Sequence, residues 1–236
     1  ALNGEVIQGL FEGLDRAAGD DTVRVVVLAA NGRIFCAGAD LQWMLELGQS
    51  GDATNDNDAV ILGRVFRAIY ECPKPTVARV QGAALGGGVG LVCACDIAVA
   101  ADDASFAVSE ARLGILPAVI GPYLVNAVGR RQARRLALTA TRIAAAEALV
   151  IGLVQQVLPP DQLDAALDAT ITDLLAGGPN AQREIKQLFA RLEVGPVTPE
   201  LREHTAQTIS RVRGGDEARE GFAAFLAKRP ANWRPT

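Results

Sequence analysis

The chain has 236 residues, half of them hydrophobic and only 5% aromatic, with 24 glycines. That excludes a disordered or low-complexity chain and leaves one large domain or two small ones, with an aliphatic core and many tight turns. A net charge of −4 and a pI near 5.1 argue against a nucleic-acid partner, which selects for a basic face; the densest basic cluster, Arg130, Arg131, Arg134 and Arg135, reads first as the solvated side of a helix and second as an anion site.

Residues 4–18 carry Val6, Ile7, Leu10, Phe11 and Leu14 at helical spacing. VRVVVLA (23–29) is a β-branched run and predicts a buried strand. After Gly32 comes the loop FCAGADL, then a helix over 58–70 that Pro73 and Pro75 end. TVARVQG (76–82) predicts a second strand, and Gly86-Gly87-Gly88 opens an apolar run to Cys95. DIAVAA (96–101) and ASFAVSE (104–110) predict two more strands. From Gly129 onward the pattern is helical, with four segments between 160 and 228. Strand–helix units first and helices last predict an α/β core over 1–160 and a helical region over 161–236.

Cys36, Cys72, Cys93 and Cys95 have neither disulfide-framework nor zinc spacing. They fit a reducing, cytoplasmic setting, and no metal site is expected. No apolar stretch has the length of a membrane span. The single histidine, His204, sits in a polar helical segment without partners for nucleophilic catalysis, and reads as a surface or interface residue.

Two Gly-rich turns each follow a predicted strand region: Phe35-Cys36-Ala37-Gly38-Ala39-Asp40-Leu41 and Gly82-Ala83-Ala84-Leu85-Gly86-Gly87-Gly88. Small residues let backbone N–H groups approach a ligand, and the second turn opens a helix whose free amides favour an anion. Two such amides on one oxygen make an oxyanion hole. Either turn alone is equally a tight turn before a helix. Glu110 is an acid at a strand end beside an apolar segment, placed for proton transfer; by spacing alone it is equally a surface glutamate paired with Arg112.

Taken together, these separated motifs resemble the crotonase (enoyl-CoA hydratase/isomerase) superfamily over nearly the whole chain. ALN at the start resembles the family's entry to its first long helix, and a β-hairpin that members place before it is expected to be missing. FCAGADL resembles the first oxyanion motif and ALGGG the second. The resemblance implies a crotonase fold, with a thioester carbonyl held between the Ala39 and Gly87 amides. It further implies Glu110 as the acid–base group, and a substrate site that includes Ala37, Asp40, Leu41, Gly86 and Gly90. The family's other catalytic glutamate falls on Gly90 here, which implies a more open pocket for a branched acyl group, with Glu110 handling the proton.

GFAAFLAKRPANW resembles the family's terminal helix, implying that Phe225 and Lys228 reach coenzyme A, often across a subunit interface; Arg33 falls where members carry a basic residue near its phosphates. No separate cofactor is implied, since coenzyme A is part of the substrate. A finer resemblance is to bacterial hydratases of the methylglutaconyl-CoA type, through GADLQWM, GGGVGLV, SEARLGILPAVIGPY, RRLALTATRI and KRPANW. The expected activity is reversible hydration of an enoyl-CoA, the alternative a Δ3/Δ2-enoyl-CoA isomerase using one glutamate. A dienoyl-CoA isomerase is disfavoured by Ala118, where that type carries an Asp. A non-catalytic acyl-CoA or RNA-binding protein is a further alternative, and the acidic charge argues against the RNA role. The resemblance implies a homotrimer or homohexamer, and Leu163, Leu167, Ile171, Leu174 and Leu175 are expected to need a neighbour to cover them.

Overall fold

The computed structural model describes residues 1–49, 52–192 and 194–234. Helix α1 (Gly4–Gly19) starts where Asn3 Oδ1 accepts the Val6 N–H at 3.0 Å, a side-chain cap, and buries Ile7 and Leu14. Strand β1 (Val26–Leu28) follows, then helices α2 (Leu41–Gln49) and α3 (Asp52–Tyr70), then β2 (Thr76–Val80). The predicted strand 76–82 is two pieces. The chain leaves β2 after Val80, turns through Gly82, and enters β3 (Ala83–Leu85) in a different sheet.

Helix α4 (Gly87–Ala94) is buried on every side, as its unbroken apolar sequence requires. Strands β4 (Ile97–Ala101) and β5 (Ser105–Ala107) come next, and a 3₁₀ turn covers Glu110–Leu113. Helix α5 runs over Gly121–Thr139, eight residues before the expected start at Gly129, where the backbone leaves helical geometry (φ 73°, ψ 157°). That break is why the pattern reads as helical only from Gly129. Then come β6 (Ile143–Ala144), α6 (Ala145–Val150), β7 (Gln156–Leu158), α7 (Leu163–Ala176), α8 (Pro179–Phe189), α9 (Pro199–Arg213) and α10 (Asp216–Leu226).

The larger sheet is parallel in the order β1-β2-β4-β7. Alternation along its strands separates two faces. Ala78, Val80, Ala98 and Ala100 join the main core with α1, α3, α4 and α5 residues. Val77, Val99 and Ala101 face α7, against Leu163 and Leu167, with Ile171 and Leu174 packed alongside. This corrects an expectation: the apolar face of α7 is covered by its own sheet, not left for a neighbour. Beyond α7, large apolar side chains do stay exposed, among them Ile185 and Phe189 on α8 and Phe222, Phe225 and Leu226 on α10.

The smaller sheet, in the order β3-β5-β6, positions the site. Strands β3 and β5 are parallel, with Leu85 opposite Ala107. The FCAGADL segment runs parallel to β3 on its other side, through a bridge between Cys36 and Ala84. Three parallel segments therefore end together, and Gly38-Ala39, Gly86-Gly87 and Ser109-Glu110 leave from one edge. The carboxyl ends of parallel strands are where α/β folds place ligands.

Candidate functional site

The two Gly-rich turns are stitched to each other by backbone. The Cys36 N–H donates to Ala83 O at 3.1 Å and Cys36 O accepts from the Leu85 N–H at 2.9 Å. Gly38 allows the crossing: its φ is +90°, and a Cβ there would sit 2.9 Å from Leu85 O. On the far side, Leu2 donates to Gly38 O at 2.7 Å and accepts from the Asp40 N–H at 2.8 Å. The bonding groups of Ala39, between them, face away from Leu2. Gly87 is the first residue of α4, where helix N–H groups have no acceptor within the helix. Among the described residues neither the Ala39 nor the Gly87 N–H donates a hydrogen bond.

Glu110 stands over the second turn. A Cβ on Gly86 would lie 3.3 Å from Glu110 Oε1, and the Gly86 N–H donates to Ala107 O at 2.8 Å. The other Glu110 oxygen, Oε2, is buried with no hydrogen-bond partner among the described residues. Burial pushes the carboxyl above its ordinary value, and a backbone hydrogen bond opposes this only in part. The alternative pairing with Arg112 is not made: among the described residues no ion pair involves Glu110.

Ala37, Gly38, Ala39, Leu41, Gly86, Gly87 and Glu110 line one cavity of about 230 Å³. That is below the ~300–1,000 Å³ that encloses a whole drug-sized ligand, and suits one end of a longer molecule. Apart from Ser109 beside Glu110, the rest of the wall is apolar: Leu2, Leu62, Trp43 and Met44 of α2, then Leu113 and the run Ile115 to Ile120. Leu41, Leu113 and Leu116 are exposed at its mouth. Glu110 is the one ionisable side chain among the described lining residues.

Four of the expected substrate contacts do not line this cavity. Asp40 Oδ1 accepts from the Gln42 N–H at 3.0 Å and the Trp43 N–H at 3.1 Å, so its carboxylate caps α2 and does not line the cavity. Arg33 is exposed and absent from the wall. Phe225 and Lys228 are exposed and outside the cavity of their own chain.

Gly90 needs a larger correction. It is buried, but it opens no space. A Cβ there would strike Ile120 Cγ2 and come within 2.8 Å of both Ile120 Cβ and Phe66 Cε1. The volume that the glycine releases is already filled, and it is Ile120, not Gly90, that lines the cavity. Ile120, Trp43, Met44 and Leu116 were not among the expected site residues. An apolar residue carries no chemical signature in sequence, and only the fold brings these four to one wall.

Residues 1–236 match the family model described as enoyl-CoA hydratase/isomerase. A 2,3-dehydroadipyl-CoA hydratase of Escherichia coli is 32% identical over 236 residues, covering 99% of this chain and 90% of the relative. The solved structure of an enoyl-CoA hydratase from Shewanella pealeana is 39% identical with a TM-score of 0.94, covering 98% of this chain and 87% of that one. The AtuE structure of Pseudomonas aeruginosa is 37% identical, also with a TM-score of 0.94, and covers 100% and 91%.

Proposed function

The chain belongs to the enoyl-CoA hydratase/isomerase family, whose members act on acyl-CoA thioesters, and from that premise we propose that it adds water reversibly across an α,β-unsaturated acyl-CoA with Glu110 as its acid–base group. The observation that carries this reading is the buried, unpartnered Glu110 Oε2 in one cavity with two residues whose N–H groups have no acceptor.

In this mechanism the thioester oxygen sits between the Ala39 and Gly87 N–H groups. Glu110 takes a proton from water as the water oxygen bonds to the β-carbon. The π electrons of the alkene move onto the thioester oxygen, giving an enolate. The enolate then collapses as Glu110 returns the proton to the α-carbon. Preorganised donors act where charge develops, and one such donor is worth about 3–4 kcal/mol of barrier. The raised carboxyl of Glu110 suits a group that must both accept and give a proton.

The proposed acyl group is aliphatic, straight or branched. A second carboxylate, as in a methylglutaconyl chain, would meet no cation among the described lining residues, and a buried charge without a partner is costly. Isomerisation is the second reading, favoured by one observation: Glu110 is the one ionisable group among the described lining residues, and a 1,3-proton shift needs one carboxylate. Turnover of 2- and 3-enoyl-CoAs in heavy-oxygen water separates the two. Hydration places solvent oxygen on the β-carbon. A shifted double bond with no solvent oxygen makes the enzyme an isomerase, and no turnover of either substrate rejects both.

A further inference from the structure

We propose that Ile120 is a specificity-determining residue, whose side chain fills the volume that any side chain at position 90 would need and so closes the cavity with an aliphatic wall that limits the acyl chain. The inference rests on the acyl-CoA reading above, and assigns the part of that site which selects the chain.

Three observations carry it. Ile120 lines the cavity yet is only 3% exposed, so it is a wall seated in the core rather than a surface flap. Its inner side is set against α4 where Gly90 has no side chain: a Cβ at 90 would meet Ile120 Cβ and Phe66 Cε1 at 2.8 Å each. Glycine is a poor helix former, and what it provides here is room for a branched side chain. The wall is also held from behind. Phe66 is fully buried and packs against Tyr123 at a centroid distance of 5.9 Å.

The Ile120 backbone is fixed as well. It stands immediately before α5, with Pro122 in the first turn of that helix, and its carbonyl accepts the Leu124 N–H at 3.0 Å. A β-branched side chain is stiff about its first torsion. An Ile in this setting cannot swing away from a longer acyl chain, so selection by size follows.

The test is Ile120→Ala, measured in two ways. The first is kcat/KM for 2-enoyl-CoAs from four to ten carbons, with a 3-methyl-branched member. The second is the dissociation constant of the saturated acyl-CoAs of the same lengths. A single methylene in an apolar pocket discriminates by ~10–200-fold. The ratio of long or branched over four-carbon substrate should therefore rise at least about tenfold in both measurements. An unchanged ratio in both overturns the proposal. If no enoyl-CoA is turned over but the binding preference shifts, the reaction reading fails and the role of Ile120 stands.

Pairing is read separately by melting temperature. The helix gain of alanine offsets part of the overpacking, so Gly90→Ala should lower Tm by up to about 8 °C in the wild-type background and by much less beside Ile120→Ala. Equal losses in the two backgrounds would show that the residues are not complementary. Should Ile120→Ala not fold, Ile120→Val, which removes one methyl, serves both measurements.

Discussion

Gly88→Ala tests whether the backbone stitching sets the catalytic geometry. Gly88 is buried at the start of α4, and a Cβ there would lie 2.7 Å from Cys36 O and 2.8 Å from Cys36 Cβ. Ordinary contact begins near 3.4 Å, so Cys36 must retreat by roughly 0.7 Å from α4. Cys36 is bonded at both its N–H and its carbonyl to β3, and Ala39 lies just beyond it. The Ala39 and Gly87 amides must therefore separate. Overpacking costs about 1–3 kcal/mol, offset by about 1 kcal/mol for alanine over glycine in a helix. A remainder of ~0–2 kcal/mol lowers Tm by no more than about 8 °C, so the variant stays folded. Losing an oxyanion donor outright costs ~10²–10³-fold in kcat, and a partial displacement should cost ~10–10²-fold. The assay is loss of enone absorbance, giving kcat and KM. The expected result is a fall in kcat with KM little changed, since the cavity walls are intact. Gly9→Ala is the control, because a Cβ there meets nothing within 4 Å. An unchanged kcat in Gly88→Ala would mean that the two amides are not the donors.

Glu110→Gln should keep the fold and acyl-CoA affinity while losing ~10²–10⁴-fold in kcat; rates near wild type would return Glu110 to a structural role. The same variant should be the more stable protein at neutral pH. Burial raises the Glu110 carboxyl above the ordinary 4.5, so between those values the folded state holds more proton than the unfolded state and wild-type stability falls as pH rises. The Tm advantage of Glu110→Gln should be full above the raised value and vanish below 4.5; a pH-independent difference would refute it. Asp40→Ala removes the cap of α2 and should cost about 0.5–2 kcal/mol. Because α2 carries Leu41, Trp43 and Met44 to the cavity, KM should rise more than kcat falls; kinetics identical to wild type would detach α2 from substrate binding.

What sequence revealed of the fold depended on how far each element carries its own signal. TVARV and DIAVAA are legible because strands buried on both faces are near-continuous apolar runs; VRVVVLA reads the same way, although at the sheet edge its Val27 is exposed rather than buried. Their observed cores are Val26–Leu28, Thr76–Val80 and Ile97–Ala101. Strands β3, β6 and β7 have two or three residues each, too few for any period to register. The face of α7 reads in sequence as an interface. Only tertiary structure shows that Val77, Val99 and Ala101 cover it.

At the site, legibility divides by the kind of force involved. The Gly-rich turns and Glu110 stand out because backbone approach and ionisation belong to particular residue types. Gly90 stands out equally, and that prominence misleads. A missing side chain announces space, but the space belongs to whichever neighbour is packed there. Ile120, thirty positions later, takes it, and no local pattern links the two. Size complementarity between distant residues is a property of the packed core. Within the fold the glycine does not widen the cavity for substrate but admits the residue that narrows it. Ionisable groups in the wall reduce to Glu110 for the same reason, since an aliphatic side chain stands where a second acid would need to fit. Chain selection and single-acid chemistry are then two consequences of one packing choice.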